Sequence, residues 1–210
     1  DEKLDLIRKL EAAGARRTEV VSFVNPNRVP QMAGAEEIMT ALPPDLEHAR
    51  IGLVLNMRGW ERCVAAQCDE ANVVVCASDG FGLANQGATV RQQIDALAAI
   101  AERQAVEGGP PITATISVAF GCPFDGEVAQ AQVVALARDA AKLGIAEIRP
   151  ARDRSRPRSL CSVGIRKATP LMNTLAHNVA PSAIASIDQR RTVPICVAGM
   201  TPSCHSIPEC

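Results

Sequence analysis

Tyrosine is absent from the 210 residues, and only five aromatic side chains occur: Phe23, Trp60, Phe81, Phe120 and Phe124. All five precede residue 149, so no aromatic side chain interleaves with the later arginines, and no nucleic-acid partner is expected. No apolar run approaches the ~18 residues a membrane helix needs, so no membrane partner is expected. The opening DEKLDLIRKLEAAG is charged and amphipathic and does not read as a secretory leader. Close CxxC pairs are lacking among the eight cysteines, which argues against a zinc site or a disulfide framework and for reduced thiols in the cytoplasm. The phosphate-binding loops GxGxxG and GxxxxGK[ST] do not follow the early strands. None of the three histidines, His48, His177 and His205, lies two residues from another.

Regular alternation of strands and helices is present. Leu4, Ile7 and Leu10 have helical spacing, and Gly14 is a natural stop. Strands are expected over 18–24, 50–56, 71–78 and 112–120, with a fifth beginning at 145–148. The apolar run ANVVVCAS suits a strand buried on both faces. Helices are expected over 34–42, 58–67 and 127–143. DGFGLANQG reads as a glycine-spotted loop. The longest helix follows it, with Thr89 and Gln92 at capping-box spacing and Val90, Ile94, Leu97 and Ala101 on one face. Strands separated by single helices give a parallel α/β sheet. An open doubly wound sheet and a TIM (β/α)8 barrel both fit this order. Long polar loops after the strands favour part of a barrel, with the site on the loop face.

Three segments are more specific than the periodicity. EVVSFVNPNRVPQM (19–32), LNMRGWERCVAAQCDE (55–70) and SVAFGCPFDGEV (117–128) follow one another in register, and KLGIAEI (142–148) continues them. Together they resemble the hydroxymethylglutaryl-CoA lyase family over residues 1–148. The resemblance implies retro-Claisen cleavage of a 3-hydroxy-3-methylglutaryl-CoA-type thioester to acetyl-CoA and acetoacetate, with an acyl-CoA substrate. A homodimer is left open as a further partner. It also implies Mg²⁺ or Mn²⁺, held in the family by an early Asp, a His-x-His pair and an Asn. The family's Arg-Asp-Gly segment, His-x-His pair and late GGCPxA loop have no counterpart among these 210 residues. No metal ligand is therefore assigned. Glu19 matches the family's barrel-interior carboxylate and is the catalytic candidate. Asn56 and Arg58, at a strand exit, are candidate substrate contacts. Ser117 is expected to pack in the barrel, Asp79 to sit in a loop near its mouth, and His48 to lie at the opposite end. Cys122 belongs to the GCPxxG loop, not to the late catalytic one. The alternative reading is a non-catalytic protein that binds a CoA ester or a partner subunit.

Residues 149–210 differ in kind. Residues 1–148 carry 13 basic and 20 acidic side chains; residues 149–210 carry 9 and 3. The later segment holds 8 Arg, 7 Pro, 7 Ser and 4 Cys, and no aromatic residue. Only TVPICVAGM (192–200) hints at a strand, and Pro194 weakens it. Out-of-frame reading of GC-rich DNA yields this composition; a genuine basic, disordered extension is the other account. Without aromatic interleaving or a recognisable module, its arginines do not read as a nucleic-acid interface.

Overall fold

A computed structural model describes residues 2–43, 47–145 and 147–151. The chain runs α1 (Glu2–Ala12), β1 (Arg17–Ser22), α2 (Ala35–Ala41), β2 (Ala49–Val54), α3 (Met57–Ala65), β3 (Glu70–Cys76), α4 (Asp79–Gln86), α5 (Val90–Glu107), β4 (Ile112–Ser117), α6 (Gln130–Lys142) and β5 (Glu147–Pro150). The five strands lie in chain order, β1-β2-β3-β4-β5, and every pairing is parallel. Helical crossovers between adjacent parallel strands produce this order, with two helices, α4 and α5, between β3 and β4.

One contact decides between the open sheet and the barrel. Neighbouring strands stand about 4.8 Å apart, so β1 and β5 of a flat sheet would be separated by about 19 Å. Yet the Arg17 guanidinium of β1 lies 2.9 Å from the Glu147 carboxylate of β5. The sheet is curled, with those side chains on its concave face. That is part of a barrel, as the loops and motifs implied.

The convex face is apolar. Val54, Ala71, Val73, Val75, Ile112 and Ala114 pack against Trp60, Cys63, Leu97 and Ile100 from the helices. Leu97 and Ile100 are fully buried, which is worth roughly 1.5–3 kcal/mol each. A second cluster joins Ile116 and Val118 to Val133, Leu136 and Ala137 of α6. Thr89 and Gln92 form the expected capping box at the start of α5.

Several boundaries depart from the sequence expectation. DGFGLANQ is a helix, not a loop. Ser78 caps it, with its hydroxyl accepting from the Phe81 amide, and Gly87 closes it in the left-handed conformation. The glycines inside it fit close approaches: a Cβ on Gly82 would lie 2.4 Å from the Gln93 amide. Packing there outweighs glycine's poor helix propensity. β4 stops at Ser117 because Val118 turns to φ +50. α6 begins at Gln130, three residues late. β5 continues past residue 148 to Pro150, and Ala151 still bonds to β4, its amide donating to the Ile116 carbonyl. His177, His205 and residues 192–200 lie outside the described residues.

Candidate active site

The concave face is polar and is built by residues two apart on four strands. Arg17 and Glu19 come from β1, Glu70 and Asn72 from β3, Thr113 and Thr115 from β4, and Glu147 and Arg149 from β5. Toward the N-terminal end of the strands they close an ion cluster. Arg17 donates to Glu70 at 2.7 Å and to Glu147 at 2.9 Å. Arg149 donates to Glu147 at 2.6 Å and to Glu70 at 3.2 Å, and the Thr113 hydroxyl donates to Glu70 at 2.9 Å. Burial alone would raise Glu147, but the hydrogen bond and charge of Arg149, then of Arg17, hold it below the ordinary carboxylate range. Two cations and two anions share this floor, so each charge finds a partner away from water.

Glu19 sits beside this cluster and is treated differently. Asn72 Nδ2 donates to its Oε2 at 2.7 Å, and Thr115 Oγ1 donates to Asn72 Oδ1 at 2.9 Å. Among the described residues no arginine bonds to it. Burial pushes the Glu19 carboxyl up; the Asn72 hydrogen bond and the charge of Arg149 pull it down, and Glu70 pushes it up again. The net shift is upward. A buried carboxyl raised in this way is a candidate for acid–base chemistry. Glu19 also lines a cavity at the β1 edge together with Ser22, Leu53, Met32 and Ile38. The hydroxyls of Ser22 and Ser117 are buried without a hydrogen-bond partner among the described residues.

The other candidates are placed separately. Asn56 is the N-cap of α3, its Oδ1 accepting from the Gly59 amide at 3.0 Å. Arg58 is exposed in the first turn of that helix, at the C-terminal end of β2. The structure does not bring either against Glu19 through a hydrogen bond. Asp79 accepts from the Val90 amide at 2.7 Å and so ties α4 to α5. Cys122 accepts from the amides of Phe124 and Asp125, which shapes the GCPF turn. His48 precedes β2, at the end of the sheet away from the loops. Asn72, Thr115, Glu70 and Arg149 escaped the sequence reading. Their only signal was a polar residue at every second position of an otherwise apolar strand.

The described residues do not fit a divalent cation. Magnesium demands several hard oxygen ligands in near-octahedral array. Among the described residues no three His, Cys, Asp or Glu side chains cluster as ligands. Glu70 and Glu147 are already engaged by Arg17 and Arg149, whose charges repel a cation, and Glu19 is paired to a neutral amide.

A curled parallel β/α sheet with helices on its convex face and a buried carboxyl on its concave face defines a β/α-barrel protein. No family model matches the chain. Individual relatives do. An (R)-citramalyl-CoA lyase of Chloroflexus aurantiacus is 36% identical over 159 residues, covering 70% of this chain and 49% of that protein. A hydroxymethylglutaryl-CoA lyase of Pseudomonas mevalonii is 34% identical over 146 residues, covering 70% and 48%. Among solved structures, an HMG-CoA lyase of Acinetobacter baumannii in complex with coenzyme A and 3-methylmalate superposes with a TM-score of 0.76 at 29% identity, over 87% of this chain and 57% of that one. Over the stretch these relatives match, the chain belongs to the hydroxymethylglutaryl-CoA lyase family. It spans about half the length of these two curated relatives.

Proposed function

We propose that this chain carries the Glu19 half of a carbon–carbon lyase site that cleaves a 3-hydroxy-3-methylglutaryl-CoA-type thioester into acetyl-CoA and acetoacetate. In that retro-Claisen step a base takes the tertiary alcohol proton. The C–C bond breaks, its electrons pass to the carbon beside the thioester, and that enolate carbon takes up a proton. Glu19 is the carboxyl proposed to handle one of these protons. The observation that carries the reading is its burial on the concave face, with its ionisation shifted upward and, among the described residues, no arginine bonded to it. Arg58, exposed at the strand exit, is proposed to meet a phosphate of the CoA moiety. Asn56 keeps its amide Nδ2 as a donor for the acyl group while its Oδ1 caps α3.

Among the described residues no donor set fits the metal expected for the family. The 210-residue polypeptide as written is therefore proposed to be inactive by itself. Residues from Arg149 onward are proposed as a segment distinct from the barrel, except that β5 runs on to Pro150. Translating the gene in its other two frames tests that division. Four free, buried thiols, Cys63, Cys68, Cys76 and Cys122, suit the reducing interior of a cell, and a cytoplasmic site is proposed.

The test grafts residues 1–150 onto the Pseudomonas mevalonii enzyme in place of its matching stretch. The chimera should release acetoacetate from hydroxymethylglutaryl-CoA, and Glu19→Ala should slow it by roughly 10²–10⁴, the usual worth of general acid–base catalysis. The 210-residue polypeptide alone should show no turnover. A folded chimera without activity, or one indifferent to Glu19→Ala, would overturn the reading.

A further inference from the structure

We propose that Asn72, locked by Thr115, is a positioning residue that holds one oxygen of the Glu19 carboxyl and leaves the other open to the interior of the barrel. The proposal deepens the reading of Glu19 as the catalytic carboxyl and rests on it.

The argument begins with three strands. Glu19 is on β1, Asn72 on β3 and Thr115 on β4. β2 lies between β1 and β3, and the residue it offers beside Asn72 is Leu53, which has no polar atom in its side chain. The curl of the sheet lets Asn72 reach across β2 to Glu19 at 2.7 Å. Asn72 is itself 5% exposed, so water does not compete for its amide.

The amide has two ends, and only one serves. Nδ2 donates; Oδ1 would present a partial negative charge to the carboxylate. A hydroxyl donating to Oδ1 fixes which end faces Glu19. Thr115 supplies that hydroxyl at 2.9 Å. Thr115 thus acts on Glu19 through Asn72.

Glu19 Oε2 is held by this bond, and among the described residues Oε1 has no hydrogen-bond partner. The groups facing it are Glu70 of β3 and Arg149 of β5, which act through space. Lys3 of α1 lines the same cavity but donates to the Ala33 carbonyl at 3.1 Å. A neutral donor suits this place better than arginine would. It orients the carboxyl and steadies its ionised form without clamping it in that form.

The test reads the Glu19 carboxyl directly in the full 210-residue chain. Infrared spectroscopy follows the carbonyl stretch of a buried protonated carboxyl against pH, and the band is assigned by its loss in Glu19→Gln. Asn72→Leu removes the donor at similar volume. Glu19 should then hold its proton at roughly tenfold lower proton activity, the worth of one hydrogen bond to a charged group. Thr115→Val should move the titration in the same direction by less, because the amide can then turn. Thr115→Ser, which keeps the hydroxyl, should leave it in place. Trp60 fluorescence confirms that each variant is folded. An unchanged midpoint in both Asn72→Leu and Thr115→Val would overturn the proposal, as would a Thr115→Ser shift equal to that of Thr115→Val. If the titration moves as expected while the lyase chimera ignores Glu19→Ala, the positioning role stands and the catalytic reading falls.

Discussion

The contact between β1 and β5 can be measured as a coupling energy. Arg17 and Glu147 stand 130 residues apart in sequence and 2.9 Å apart in space. Their side chains are 33% and 18% exposed, so the pair is partly shielded from solvent. Two unit charges at that distance attract by about 6 kcal/mol at an effective dielectric of 20. Most of this is shared. Arg17 keeps Glu70, and Glu147 keeps Arg149, when the other partner is removed. A coupling of about 1–2 kcal/mol is the expected remainder, within the range found for contacting residues in one network. The cycle uses the unsubstituted chain, Arg17→Met, Glu147→Gln and the double variant. Urea unfolding followed by Trp60 fluorescence gives the four stabilities; this one tryptophan is 3% exposed and sits in the core. Each single change should destabilise, and the double should lose less than the sum. Separated sites add to within about 0.5 kcal/mol. Additivity of that quality for Arg17 and Glu147 would mean that the strands do not approach, and the curled sheet would be refuted.

Two further outcomes follow from the same packing. A Cβ on Gly52 would lie 2.7 Å from Phe23 Cε2 and 3.0 Å from the sulfurs of Cys63 and Cys68, so Gly52→Ala should destabilise by about 1–3 kcal/mol through overpacking, and Cys68→Ala should recover part of the loss in urea melts. Burial pushes the Glu19 carboxyl up on folding, so its ionisation lowers stability as pH rises from the unfolded carboxylate value, about 4.3, through the higher folded one. Glu19→Gln should therefore raise the urea midpoint at pH 8 and leave it nearly unchanged at pH 4; an equal effect at both would show that charge is not the cause.

The fold was legible wherever residues declare their own geometry. Thr89 and Gln92 predicted a capping box because the two bonds need only local spacing. ANVVVCAS predicted a buried strand because few other elements accept that run. DGFGLANQG misled, since its glycines read as loop, while the contacts that favour glycine there come from Asp125 and Gln93, 45 and 11 residues away from Gly80 and Gly82. The end of β4 was missed for a similar reason: nothing in SVAF announces that Val118 adopts φ +50.

The site was legible only in part, and the limit is physical. Glu19 became the candidate through the family motif around it, not through its pattern. Glu70 and Asn72, Thr113 and Thr115, Glu147 and Arg149 each alternate with apolar neighbours, while Arg17 and Glu19 flank Thr18. On a single strand, that alternation is the mark of a sheet with one wet face. A barrel interior lined with charged pairs produces the same period, because both faces ask for polar residues at every second position. What separates them is closure, and closure is a property of five strands together. Once Arg17 of β1 meets Glu147 of β5, the polar positions stop being a solvated surface and become an interior that must satisfy its own charges. Arginines satisfy Glu70 and Glu147, while a neutral amide satisfies one oxygen of Glu19. That difference in partner, invisible in the one-dimensional pattern, sets Glu19 apart from the carboxylates of the ion cluster.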